Sequence, residues 1–224
     1  MSTPTIRAAR VTLGLGSQVG RLLASDAQEA HSFVTKALRL PQETLDDKSK
    51  TPRADANLLW RRERGRSGAA ALIVQTTDPN ADLAGLHGAG VTGVQVIDDA
   101  LTRVRPRLAA GEHLRFSVRT NPVKWQTEDG RKRRVPILDD NEQIAWLARQ
   151  FQGAATLAQD PFTGAEDVAV EQEPTVRVMP RGAVFNSVQF TGTLLVEAPD
   201  ALEALVASGI GRGRAFGLGL VQVA

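Results

Sequence analysis

Two stretches of this chain repeat one order of hydrophobic patterns, and that repetition limits the fold more than any other feature. In the first, Ile6 to Leu13 alternates apolar and polar residues as a half-buried strand does. A helix is predicted from Ser25-Asp26-Ala27-Gln28, which reads as a capping box with Gln28 three residues after Ser25. It runs to about Leu40, with Ala30, Phe33, Val34 and Ala37 at helical spacing, and Pro41 ends it. Asn57 to Arg64 and Ala69 to Thr76 read as a hairpin around Gly65 to Gly68, and Val91 to Ile97 as a further strand after a weak helical piece. The second stretch follows the same order with one strand more. Leu114 to Val123 and Arg134 to Leu138 read as strands, Asn141 to Gln150 as a helix, and Val168 to Val178 and Val184 to Val196 as longer strands. A short helix capped by Asp200 reaches Ala207, and Gly217 to Val223 reads as a closing strand.

Strand, helix, two strands, helix, strand, written twice, predicts an α+β protein of two tandem ferredoxin-like units, the βαββαβ arrangement that RNA-recognition domains share. The units are expected at residues 1–100 and 111–224, parted by a segment that holds Pro106 and Gly111. A chain of 224 residues has room for two domains of this size. Residues 42–55 are polar and charged and read as a loop that can move.

Cysteine is absent, which excludes disulfides, a thiolate nucleophile and thiolate metal sites. No run of about 18 apolar residues is present, and the first ten residues lack the apolar core of a signal peptide, so a cytoplasmic protein is expected. The net charge is only +2 while the pI is 9.4. With no Tyr, no Cys and five Lys, little titrates above neutrality, so the pI overstates the basic character. Arginine supplies 22 of the 27 cations, and it is clustered: Arg61, Arg62, Arg64 and Arg66; Arg103, Arg105 and Arg107; Arg131 to Arg134; Arg212 and Arg214. A GC-rich genome accounts for the excess of arginine over lysine but not for the clustering.

The densest cluster, Arg131, Lys132, Arg133 and Arg134, lies in a hairpin tip read at 124–134 and reaching outward, with Lys124 and Trp125 at its start. Guanidinium forks match phosphates, so a polyanion suits this tip. The bland reading is a solvated turn, with Trp125 covering a strand edge instead of stacking on a base. A reader of the DNA major groove wants a basic helix. The helix at 141–150 carries Arg149 as its one cation, so RNA leads DNA.

Three histidines are present, His31, His87 and His113, and none is paired at metal-ligand spacing. His31 falls at the edge of the apolar stripe of its helix, with Gln28 and Thr35 on the polar side. There it is either a packed structural residue or a proton carrier held in place by packing, since imidazole titrates near pH 6.5. The run Gly209 to Leu220, GIGRGRAFGLGL, holds Arg212 and Arg214. It lacks the strand before and the helix after that a dinucleotide loop needs. It is either a close-packed turn or a backbone that approaches phosphates.

Three segments together resemble the CasE family of CRISPR-associated, repeat-processing endoribonucleases of type I-E systems. They are RTNPVK with GRKRRVPI and EQIAWLARQF; NSVQFTGTLLV; and GIGRGRAFGLGL. SDAQEAHSFVTKALRLP is similar to the family's first helix. The resemblance implies cutting of CRISPR precursor RNA at the 3′ base of each repeat stem-loop. It also implies 5′-OH and 2′,3′-cyclic phosphate ends, no metal and no other cofactor, and retention of the product as a subunit of Cascade. It implies His31 as the catalytic residue. Lys124, Arg131, Lys132, Arg133, Arg134, Arg212 and Arg214 are implied as RNA-binding residues. The expected partners are the CRISPR repeat stem-loop and other Cascade subunits. One departure stands out: family members often carry tyrosine where this chain has Gln28, which can orient a substrate but not take its proton. A repeat-hairpin-binding subunit without activity is therefore the alternative.

Overall fold

The computed structural model describes residues 5–38, 57–65, 68–178 and 182–224. The loop expected at 42–55, the helix end at Leu40 and Pro41, and Arg66 lie outside the described residues. In the first half, β1 (Arg7–Leu13) is followed by α1 (Gln18–Ser25) and α2 (Ala27–Ala37), then β2 (Leu59–Arg64), β3 (Ala70–Thr76) and β4 (Val91–Ile97). In the second half come β5 (His113–Thr120), β6 (Val123–Glu128), β7 (Arg131–Pro136), α3 (Asp140–Phe151) and β8 (Ala155–Leu157). They are followed by β9 (Val168–Val178), β10 (Ala183–Val196), α4 (Pro199–Ser208) and β11 (Val221–Val223).

The first sheet has the order β2-β3-β1-β4 and the second β11-β5-β10-β8, with β9 also paired to β10. The first places β1 and β3 at the centre and the second β5 and β10, with β8 and β9 sharing the outer side of β10, which is the ferredoxin-like permutation. The described pairings in both sheets are antiparallel, so the strands bury one face and alternate. In β5, Leu114, Phe116, Val118 and Thr120 are buried, and the first three join Leu147 and Phe151 of α3 and Leu202 and Val206 of α4 in one core. In the first sheet Val11, Trp60, Leu72 and Val74 meet Leu23, Ala30 and Val34 from α1 and α2.

Several boundaries differ from the sequence reading. The capping box is a misreading: Ser25 ends α1, and its hydroxyl donates to the Arg21 carbonyl at 2.8 Å. Asp26 is the cap of α2, its carboxylate accepting from the N–H groups of Gln28 at 2.7 Å and Glu29 at 3.1 Å. Helix α1 escaped the pattern because it is short and holds Gly20 mid-helix. A side chain there would drive into the Gly14 carbonyl, so packing forbids a better helix former. The weak helical piece before β4 is a single 3-10 turn, Leu83–Gly85. Asp200 is not a cap: α4 starts one residue earlier, with Pro199 at its first position, where a fixed φ suits a helix start. The closing strand is shorter than expected, because residues 214–216 form a 3-10 turn and the left-handed Gly217 and Gly219 break the extended path.

The strand expected from Leu114 to Val123 is likewise interrupted at Asn121-Pro122, and β6 pairs with β7 in a two-stranded ribbon of its own. The ribbon turns at Asp129-Gly130, both with positive φ. A two-residue loop of this type matches the strand twist.

Candidate nucleic-acid interface

The two units meet where the glycine-rich run crosses from the second onto the first. Trp60, fully buried in β2, donates its indole N–H to the Ala215 carbonyl at 3.0 Å. Gly217 lies flat on that indole. At φ +82° it occupies a region unfavourable to side chains, and a Cβ would come within 2.7 Å of the ring. That fit fixes the turn before it and sets Phe216 edge-on to His31, with ring centres 5.6 Å apart and planes at 62°. Phe185 of β10 packs on Phe216 in turn, at 5.7 Å. Close packing is present along the glycine run, as one of its two readings expects.

His31 is half-buried on α2. Its Nδ1 lies 3.5 Å from Thr35 Oγ1, and that hydroxyl also donates to the His31 carbonyl at 2.8 Å. Gln28, one turn earlier, donates its amide to Ser32 Oγ at 3.3 Å, while its Oε1 is buried with no hydrogen-bond partner. Arg212 and Arg214 stand exposed on the same run as Phe216, and Arg214 donates to the Ser208 carbonyl at 2.8 Å. The fold thus brings the helix histidine and the glycine run together, although they lie at opposite ends of the chain.

The hairpin cations form a separate patch, and they are not at the tip. Arg131 to Arg134 make up most of β7, so their side chains alternate between the two faces of the ribbon. On one face Arg134 stacks over Trp125, 4.3 Å from the ring centre, and Trp125 is 61% exposed. On the other, Arg133 pairs with Glu128, and Lys124 pairs with Glu142 of α3. These pairs are exposed, a setting in which an ion pair contributes about 0–1 kcal/mol, so a phosphate can displace the carboxylate. The ribbon's base is held more firmly: Gln143, fully buried on α3, donates to the Ile137 carbonyl at 2.8 Å.

Sequence reasoning placed Thr35 beside His31 but missed Phe216, and Phe185 behind it. Thr35 carried a signal, since i and i+4 share a helix face. The two phenylalanines carried none, because only the docking of the units brings them there. Among the described residues, no group of three or more His, Asp and Glu side chains is placed to hold a metal ion. No helix among them is long and apolar enough to cross a membrane.

Comparison with known proteins meets this geometry from outside. The CRISPR-associated endoribonuclease Cse3 of Thermus thermophilus is 26% identical over 230 residues, covering 96% of this chain and 98% of its own length. The CRISPR system Cascade subunit CasE of Escherichia coli K12 is 33% identical over 134 residues, 54% of this chain and 63% of its own. A solved structure of Thermus thermophilus Cse3, bound to an RNA representing a pre-cleavage complex, aligns with a TM-score of 0.75 at 27% identity. That alignment covers 98% of this chain and 99% of the other. The model of the family described as CRISPR associated protein matches residues 7–224, a span that takes in both sheets, His31, the basic ribbon and the glycine run. The chain belongs to the CRISPR associated protein family.

Proposed function

We propose that this protein is a metal-independent endoribonuclease that cuts CRISPR precursor RNA at the 3′ base of the repeat stem-loop. It then keeps the hairpin and serves as a Cascade subunit. The observation that carries the reading is the junction of His31 with the glycine run: a histidine half-buried against Phe216, which lies on the same run as two exposed arginines. The relatives lend support, since one is named an endoribonuclease and the other a Cascade subunit.

The chemistry needs positioning, proton transfer and cations beside the phosphate. The ribose 2′-oxygen attacks the adjacent phosphorus, the P–O5′ bond breaks, and a 2′,3′-cyclic phosphate and a 5′-OH result. One proton leaves the 2′-oxygen and one arrives at the departing 5′-oxygen. His31 is assigned one of these transfers, worth about 10²- to 10⁴-fold in rate, and solvent water carries the other. Arg212 and Arg214 steady the charge on the phosphorane oxygens. Gln28 offers an acceptor for a ribose hydroxyl once its side chain turns outward. Lys124, Arg131, Lys132, Arg133 and Arg134 grip the stem through its phosphates, and a subunit that retains its product has no need of fast turnover.

A second reading is a hairpin-binding subunit without activity. Gln28 favours it, since an amide cannot serve as the second proton carrier. Incubation of the protein with an end-labelled CRISPR repeat hairpin in excess EDTA separates the two. A single cut at the stem base ending in a cyclic phosphate is the expected result. Binding without cutting selects the second reading, and cutting only with added Mg²⁺ overturns the metal-independent mechanism.

A further inference from the structure

The reading above leaves one conspicuous cluster of charge unused. Between the edge strand β2 of the first sheet and β9 of the second lies an open cleft of about 630 Å³. Among the described residues its lining carries Arg61, Arg62 and Arg64 from β2, Arg119 from β5 and Arg177 from β9, against Glu63 and Glu173. That is an excess of three positive charges at one place, in a chain whose whole net charge is +2.

The two carboxylates are already engaged. Glu63 takes Arg10 at 2.6 Å and accepts from Gln222 at 3.0 Å, and Glu173 takes Arg119 at 3.2 Å. Arg61 keeps a buried Nε with no hydrogen-bond partner, 4.0 Å from the nearer Glu63 oxygen. Burial pushes Arg62 down to about 10, with Arg119 repelling it. Burial likewise lowers Arg61 and Arg119. All stay protonated at neutral pH, so the protein holds several partly desolvated like charges around an open space. An anion entering that space restores what burial removed.

We infer that this cleft binds the phosphodiester backbone of single-stranded RNA flanking the repeat hairpin, an inference that rests on the endoribonuclease reading above. Three observations narrow the ligand. Guanidinium groups favour phosphate oxygens, and the cleft is large enough for more than one phosphate. No aromatic side chain stands among the described lining residues, so bases have no stacking platform there and the contact is blind to sequence. Ala27 of α2 also lines the cleft, one helical turn before His31. The rim of the cleft at Ala27 therefore lies about 6 Å along the helix axis from His31, the proposed site of cutting.

The test compares RNAs by fluorescence anisotropy: the repeat hairpin alone, and the hairpin with about eight uridines added on its 3′ or its 5′ side, a length matched to single-strand sites. The variant is Arg64→Gln with Arg177→Gln, both exposed at the mouth of the cleft. For the native protein one of the tails is expected to tighten binding about tenfold at low salt. In the variant that gain falls below about threefold, and the salt slope of the tailed RNA falls by roughly 0.7 per arginine. Binding and cutting of the bare hairpin stay unchanged, which also shows that the variant is folded. A tail that adds nothing on either side, or a gain that survives in the variant, overturns the inference. So does displacement of the tail by an oligoglutamate as readily as by an oligouridine, which reassigns the cleft to an acidic protein surface. Loss of bare-hairpin binding by the native protein sinks the endoribonuclease reading instead, and the two failures are therefore distinct.

Discussion

Phe216 can lie against His31 only because the residue after it has no side chain. Gly217 sits at φ +82° on the face of Trp60, and even one methyl group meets the indole. Gly217→Ala is therefore expected to destabilise the protein by about 1–3 kcal/mol, the sum of strain and displaced packing. The shift is read as a lower urea midpoint with an unchanged m-value. Cutting should fall further than stability alone explains, since the methyl group pushes the 214–216 turn off α2. His31 itself was legible in the sequence, as a titratable residue at the edge of an apolar stripe. Its covering ring was not: periodicity reports which face of a helix is buried but not which distant residue buries it. Gln28 was legible as a departure, whereas its unpartnered oxygen belongs to the folded geometry.

At the scale of elements, local chemistry decided most boundaries and tertiary packing decided the rest. Ser25-x-x-Gln28 satisfies the spacing of a capping box, yet the Ser25 hydroxyl closes α1 and Asp26 opens α2. A pattern that specifies two residues of four cannot tell abutting helices from a single start. Asp26→Ala is expected to cost about 1 kcal/mol and Ser25→Ala less than about 0.5, as measured by urea unfolding. The reverse order would restore the capping box. The hairpin was legible as strand, turn, strand, but its cations were assigned to the tip. The Asp129-Gly130 turn, a strong two-residue signal, places them on β7 instead. Cations on both faces of a ribbon can each meet a phosphate. Arg131→Gln with Lys132→Gln is expected to reduce the salt slope of hairpin binding by about 0.9 for each charge removed. Far-UV circular dichroism should not change, because both side chains are exposed.

For the whole molecule, two repeats of one strand order were readable because periods of two and 3.6 residues mark each element independently of its partners. How the two units dock was not readable, since it depends on residues that look ordinary within their strands. Gln75 of β3 donates across to the Val206 carbonyl of α4 at 2.8 Å, and Trp60 of β2 reaches Ala215. This docking places the histidine of the first unit under the glycine run of the second, and it sets β2 and β9 on either side of the arginine cleft. The most direct test of the account is His31→Ala, assayed in excess EDTA beside the native protein for both cutting and binding of the repeat hairpin. Cutting should fall by at least about 10²-fold while the hairpin dissociation constant changes less than threefold. Unimpaired cutting, or loss of binding and cutting together, would contradict the role given to His31.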